Sequence, residues 1–391
     1  MNGLRFLRLN LLDRHLFKSV LGTCLAAVAL FGLLLIFVNT LRDLLVPLLA
    51  GQLGAGIALQ LLLMLPLTVA QFALPMGILT GVLLTLGRLS ADSEIVAMRS
   101  AGLSLARIAR PIFILGVAGG LLCLFTNFYA FPMAKVKYER ELAAALRRNP
   151  LSFIVPKTFI RDFKGCVIYV REKEGPLLRD IWLWELDAQS RVRRFVHAES
   201  GRLDFDEATN SLVPTLNLVR AEERDAEYPE DFGKSPKAPS VEKTEEVRLA
   251  LDRYFGQQGG KVKPEWLTYD QLQAERARLA ALPPEPTPDK TRAAAVTRMK
   301  LELVIHDKYN FALAAFAFAF IAVPLGIQVS RRETSANLGI ALVLVLGYYL
   351  LTVAVKMLDR HPEYHPDLLL WLPNALFFAL GAWLFSRLDR R

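Results

Sequence analysis

The chain has 391 residues, 53% of them hydrophobic, and a formal net charge of +9. Much of that basic excess sits at the ends of long uncharged runs, where Lys and Arg anchor membrane helices, so it does not point to nucleic acid. Six such runs, arranged as three, a large polar gap, and three more, exclude most soluble enzymes.

The runs are Ser19–Leu41, Leu44–Gly87, Pro111–Ala134, Tyr309–Ser330, Thr334–Val355 and Leu368–Ser386, and none contains Asp, Glu, Lys or Arg. A bilayer core of about 30 Å needs roughly 20 apolar residues in a helix. Backbone groups in lipid must bond internally, so the runs are expected to be helices. The first follows an Arg-rich N-terminus, exceeds a typical signal-peptide core and is followed by no A-x-A-like site, so it reads as a retained span. The second is too long for one plain span. Pro47, Gly51, Gly54 and Gly56 break its start, and a helix from near Ile57 to Gly87 would reach about 46 Å, with Pro66 and Pro75 as its expected kink sites.

Between the second and third spans runs Arg88–Arg110. Ser90 or Asp92 suits a helix start, Gly102 a stop, and Ser104 the cap of the next helix. The expected product is a short surface helix, about residues 90–102, with Glu94, Met98 and Ala101 along one face. Two readings stay open for it: a knob for a cytoplasmic motor domain, or an amphipathic anchor.

After the third span, Lys135–Arg148 continues helically, and then the period changes. Ser152–Phe163, Cys166–Arg171, Asp180–Asp187, Val192–His197, Gly201–Asp206 and Ser211–Arg220 are short runs rich in β-branched and aromatic residues. Turn residues at Lys164-Gly165, Glu174-Gly175-Pro176 and Thr209-Asn210 separate them, which suits an antiparallel sandwich or barrel. Trp182 and Trp184 alternate with Ile181 and Leu183, so both faces of that strand carry large side chains. One face lining a lipid-accepting interior and an ordinary sheet core are both consistent with this. The charged, Pro-containing stretch Ala221–Glu246 reads as a surface insertion. Thr268–Leu282 is expected to be helical, Pro283–Pro288 a stiff break, and Thr291–Asp307 a helical lead into the fourth span. The domains are therefore 1–134 (spans one to three), 135–262 (all-β, with insertion 221–246), 263–308 (helical return) and 309–391 (spans four to six).

Lys and Arg in the short connections set the orientation. One side holds Arg5, Arg8, Arg14, Lys18, Arg88, Arg99, Arg107, Arg110, Arg331, Arg332, Arg387, Arg390 and Arg391; the other holds Arg42 and Arg360. The rich side is cytoplasmic, which puts both termini inside and the central domain outside. The three cysteines form no CxxC pair, and Cys166 stands alone in the outer domain. His361 and His365 lie in a loop interrupted by Pro362 and Pro366, which reads as a polar turn rather than a metal site. His306-Asp307-Lys308 reads as an ordinary interfacial cluster. No phosphate-binding G-x-x-x-x-G-K-[ST] loop exists, so any ATP is bound by a partner and the chain is expected to hold no cofactor.

These residues resemble the LptF/LptG (YjgP/YjgQ) permeases of lipopolysaccharide export, nearly end to end. The resemblance lies in Leu12-Asp13-Arg14-His15…Lys18, in Leu86-Gly87-Arg88-Leu89 with Ser93-Glu94…Met98…Gly102, in Ser200-Gly201-Arg202-Leu203, and in His306…Val323-Pro324-Leu325-Gly326. It implies an inner-membrane permease subunit, not itself an enzyme, with a periplasmic β-jellyroll. Its implied partners are an LptB-like ATPase dimer, a second LptF/LptG-type permease and LptC/LptA-like periplasmic proteins, and its implied cargo is lipopolysaccharide. On that resemblance Asp92, Ser93, Glu94, Met98, Arg99 and Gly102 form the ATPase-coupling segment, and Arg42, Lys135, Lys137 and Arg140 contact lipid phosphates. The competing classes are an ion-driven flippase, which would want ionisable residues within the spans, and a membrane-anchored enzyme or sensor, which would want a convergent polar site in Leu151–Arg220.

Overall fold

The computed structural model describes residues 11–49, 55–148, 154–161, 163, 165–187, 189–206, 211–224, 240–246, 249–250, 263–282, 288–328 and 334–389. Among them six helices are long and apolar enough to cross a membrane. The chain divides into two compact units. One comprises residues 1–41, 63–136 and 263–391, and the other residues 42–62 and 137–262.

The first helices are α1 (Leu11–Leu49), α2 (Ala55–Ala91), the short α3 (Glu94–Ser100) and α4 (Leu105–Phe125). A π-helical turn, Thr126–Ala130, leads without a break into α5 (Phe131–Arg148). After the sheet come α6 (Tyr269–Ala280), α7 (Pro288–Gln328), α8 (Thr334–Lys356), a short α9 (Pro366–Leu369) and α10 (Leu372–Asp389). Two boundaries differ from the sequence reading. Arg42 and Pro47 lie inside α1 rather than in a connection, and α2 starts at Ala55. The charges at Arg42 and Asp43 end the apolar run, but nothing in their backbone chemistry ends a helix. Gly51 and Gly54, residues 283–287, Thr209-Asn210, Lys164, and Arg331 and Arg332 lie outside the described residues.

Small residues set the helix packing. Gly77 and Gly81, four apart on α2, meet the backbone of α1. A Cβ on Gly81 would come 2.5 Å from Cys24 Cα, and one on Gly77 2.7 Å from Val28 N. Gly116 and Gly120 on α4 do the same toward α7, where added Cβ atoms would lie 2.7 Å from Ala319 Cβ and 3.0 Å from the Ala312 oxygen. Lipid tails are as apolar as Leu, so membrane helices associate through such close contact. Helix α7 is central: Ala314, Ala315, Ala317, Phe318, Ala319, Ile321, Ala322 and Val323 are all fully buried. A helix apolar on every side is one enclosed by others. On the return segment, the Thr268 N–H donates to Gln271 Oε1 at 3.0 Å and starts α6. Leu272 of α6 then packs with Phe128, Leu301 and Ile305.

The second unit holds one antiparallel sheet with strands in the order β1 (Phe159–Ile160), β2 (Cys166–Glu174), β3 (Leu177–Leu186), β4 (Val192–Asp206), β5 (Ser211–Glu223) and β6 (Ser240–Glu246). A short β7 (Leu249–Ala250) also pairs with β5. The β2–β3 turn is Gly175-Pro176, with Gly175 at φ +59. The runs expected as two strands, 192–197 and 201–206, are one continuous β4. Gly201 passes through its middle, where a Cβ would come 2.7 Å from Ile181 Cδ1. The stretch read as a charged insertion, 221–246, also differs, because it gives residues 221–223 to β5 and 240–246 to β6. Its composition is poor in core-forming residues, but an outer strand is held by backbone bonds and tolerates charged side chains.

Candidate functional site

The α2–α3–α4 junction is built from backbone geometry. Helix α2 runs through Ala91, and the chain turns at Asp92 and Ser93, with Ser93 left-handed at φ +60. The Ala97 N–H donates to the Ser93 oxygen at 3.0 Å and opens α3. Gly102, at φ +84, closes it: Gly102 N–H donates to the Arg99 oxygen and Leu103 N–H to the Met98 oxygen. Ser104 caps α4 by accepting from the Arg107 N–H. Ser93, rather than Ser90 or Asp92, is therefore the residue before the helix. The Ser90 hydroxyl instead donates to the Ile327 oxygen of α7 at 3.1 Å. Arg88 donates to Ser19 of α1 at 2.9 Å.

Ile95 is buried and Met98 half-buried against the helical core, and these two seat α3. Glu94, Val96, Ala97, Arg99 and Ala101 face outward. The expected ridge of Glu94, Met98 and Ala101 is thus divided. Met98 turns inward beside Ile95, and the open side sets the Glu94 carboxylate and Arg99 among small and apolar residues. The missed signal was Ile95, three residues before Met98.

A second cluster lies far from α3 in sequence. Asp307 of α7 meets Lys356 of α8 at 2.7 Å. Lys308 is buried, and its ammonium donates to the Asn127 oxygen at 2.7 Å and the Glu265 oxygen at 3.1 Å. Asn127 Nδ2 returns a bond to the Lys308 oxygen at 3.0 Å. Below them Asn374 donates to the backbone oxygen of the buried Asn310, and Trp371 donates to His306 at 2.9 Å. The sequence reading of residues 306–308 as interfacial missed the burial of Lys308, while His306 and Asp307 stay partly exposed, because no local pattern reveals a partner 181 residues away.

The residues expected to contact lipid phosphates are Arg42, Lys135, Lys137 and Arg140. Lys135 sits over the Trp266 ring at 5.4 Å, with Lys263 over the same ring at 5.2 Å. Lys137 and Arg140 are exposed on α5, and the Arg42 side chain lies outside the described residues.

The sheet separates its two faces by chemistry. Ile168, Val170, Ile181, Leu183, Val196 and Val219 are buried in an aliphatic core. The opposite face carries Tyr169, Trp182, His197 and Arg220 in register, beside Trp184 opposite Phe195. Trp182 stacks on His197 at 4.3 Å and contacts Phe195 at 5.5 Å. Asp180, left-handed at φ +52, accepts from Trp182 Nε1 and bonds His197 Nε2, both at 2.8 Å, and pairs with Arg171 at 2.8 Å. The His197 bond, followed by those of Trp182 and Arg171, holds the Asp180 carboxyl below the usual carboxylate range. A depressed carboxylate stabilises the fold above its unfolded value of about 3.9 and loses that contribution as pH falls through the lower folded value. The protection of β3 and β4 amides against hydrogen exchange, taken relative to the intrinsic rate at each pH, is therefore expected to fall on acidification from pH 5 to 3, and less so in Asp180→Asn. Equal loss of protection in both proteins would count against this role.

Among the described residues no His, Cys, Asp and Glu cluster fits a metal ion. His361 bonds its neighbour Glu363 at 2.9 Å. Cys24 and Cys123 are buried in the helices, and burial pushes the half-buried Cys166 thiol up to about 11.

A family model described as lipopolysaccharide export system permease LptF/LptG matches residues 14–387. The chain is 28% identical over 207 residues to the lipopolysaccharide export system permease protein LptF of Escherichia coli (strain K12), a match covering 52% of this chain and 56% of that protein. It is 27% identical over 206 residues to the permease protein LptG of Haemophilus influenzae, covering 51% and 56%. The chain thus spans about half the length of the curated relatives it matches.

Proposed function

Because the chain belongs to the LptF/LptG family of lipopolysaccharide export permeases, we propose that it is a membrane subunit of an ATP-driven lipopolysaccharide exporter. In this reading it lies in the inner membrane with both termini cytoplasmic and the sheet periplasmic. It works with an LptB-like ATPase dimer and a second permease of the same family. The sheet belongs to a β-jellyroll that passes acyl chains along a path toward LptC/LptA-like proteins. Exposing an acyl chain to water costs about 0.8 kcal/mol per CH₂, so repeated extraction needs both an energy source and such a path.

The observation that carries this reading is α3. Its backbone is fixed at both ends by left-handed residues, Ile95 and Met98 bind it to the helices, and Glu94 is left exposed. That is the form of a rigid contact for a motor domain rather than of a helix lying loosely in an interface.

Purification of the chain from native membranes in mild detergent, with mass spectrometry, tests the partners. A small ATP-binding subunit and a second six-span permease are expected. Isolation of the chain alone would defeat the reading. Asp307 and Lys356 are the kind of ionisable pair an ion-driven carrier would want, but they bond each other directly and the Lys356 side chain is 40% exposed. Nanodiscs hold no ion gradient, so ATP-dependent lipopolysaccharide transfer in them separates the two mechanisms.

A further inference from the structure

We propose that Lys308 is a positioning residue that ties both chain segments bracketing the sheet to the central helix α7, so that movement delivered beside α3 reaches the two together. This rests on the ATP-driven reading above.

Pro132 creates the need for this bond. In the π-helical turn the Phe131 N–H bonds the Thr126 oxygen. The next donor in that pattern belongs to residue 132, which is proline and has no N–H. The Asn127 oxygen is therefore left without a donor from its own helix, and Asn127 is fully buried. The Lys308 ammonium fills that position at 2.7 Å, and Asn127 Nδ2 closes a reciprocal bond to the Lys308 oxygen. The same ammonium lies 5.7 Å from the Phe128 ring centre and 5.6 Å from that of Phe131.

Its other bond reaches the Glu265 oxygen, in the short 3-10 turn Pro264–Trp266. The first unit's chain leaves it after Val136 and re-enters at Lys263. One side chain thus holds the outgoing helix and the returning segment. Phe128 strengthens the same junction through edge contact with Tyr269 of α6.

At its other end α7 carries Ile327, whose oxygen accepts from Ser90, three residues before Ser93. From Lys308 to Ile327 the helix is continuous, a span of about 28 Å at 1.5 Å per residue. A continuous helix, with Pro324 near one end, that is bonded there to Ser90 at the end of α2 and at the other end to both segments leading to the sheet is a physical route for coupling. Coupling is read directly by comparing ATP hydrolysis with lipid transfer.

The test uses the full co-purified assembly in nanodiscs containing lipopolysaccharide, and measures ATP hydrolysis and ATP-dependent transfer to a soluble LptA-like acceptor. Lys308→Met is expected to keep hydrolysis within about twofold and to lower transfer at least tenfold. Lys308→Met also leaves the Asn127 oxygen without its donor, so Pro132→Ala is added to it. That change returns the missing N–H to Asn127 and removes the orphan carbonyl without restoring the tie. The double variant is expected to recover the thermal midpoint of the assembly while transfer stays at least tenfold down. Recovery of transfer along with stability would overturn the proposal, as would a parallel fall of hydrolysis and transfer, or unchanged transfer in Lys308→Met. A wild-type assembly without ATP-dependent transfer would sink the exporter reading and this inference with it. A wild type that transfers while the variants match it sinks this inference alone.

Discussion

Gly81→Leu is expected to strip α1 from the bundle and to abolish accumulation of folded protein in the membrane. The added Cβ alone would lie 2.5 Å from Cys24 Cα and 2.6 Å from Cys24 N. Those are backbone atoms, which cannot swing aside as a flexible side-chain end can. Overpacking a well-fitted core typically costs about 1–3 kcal/mol, and a clash with backbone in a seam held by contact alone belongs at or beyond the top of that range. The flanking bonds, Thr23 to Thr85 at 2.7 Å and Arg88 to Ser19 at 2.9 Å, depend on the same approach of α1 to α2. Gly32→Leu is the matched control, because a Cβ there meets nothing within 4 Å. The measurement is the amount of detergent-extractable monodisperse protein and its thermal midpoint. Equal midpoints for Gly81→Leu and Gly32→Leu would refute the seam.

Glu94→Arg is expected to lower co-purification of the ATP-binding partner at least tenfold, a loss of about 1.4 kcal/mol or more in binding. Glu94 is exposed and sits in the first turn of α3, where a carboxylate is favoured by the helix dipole. Charge reversal there costs the isolated helix about 0.3–1 kcal/mol, so part of any effect is local. Glu94→Gln separates the two: it removes the charge without reversing it and leaves Ile95 and Met98 seated. A graded loss, with Gln between wild type and Arg, and an unchanged thermal midpoint of the permease are expected. Wild-type recovery of the ATP-binding partner with the Arg variant would show that α3 is not its contact.

The six spans were legible because absence of charge over some twenty residues is a one-dimensional property, and lipid leaves helix as the solution for such runs. The stop at Gly102 and the cap at Ser104 were legible for a related reason: each depends on one residue's own backbone or hydroxyl. The overrun of α1 past Arg42 was not, because hydropathy reports where lipid would end, and a helix can continue beyond it. The inward turn of Met98 needed the helical core as a second surface. Lys308 was furthest from view. Its importance depends on a proline at 132 and a carbonyl at 127, and nothing beside Lys308 in the chain refers to either.

The state of the three cysteines has a practical consequence. Thiol reagents attack the thiolate, which is scarce when burial raises the thiol's pKa, as at Cys166. Cys24 and Cys123 are enclosed by neighbouring helices and offer reagents no approach. The native chain is therefore already a quiet background for maleimide chemistry at neutral pH. Single cysteines placed at exposed positions such as Val96 or Lys137 should label selectively without prior removal of the native three, so movements of α3 and α5 can be followed in otherwise unaltered protein.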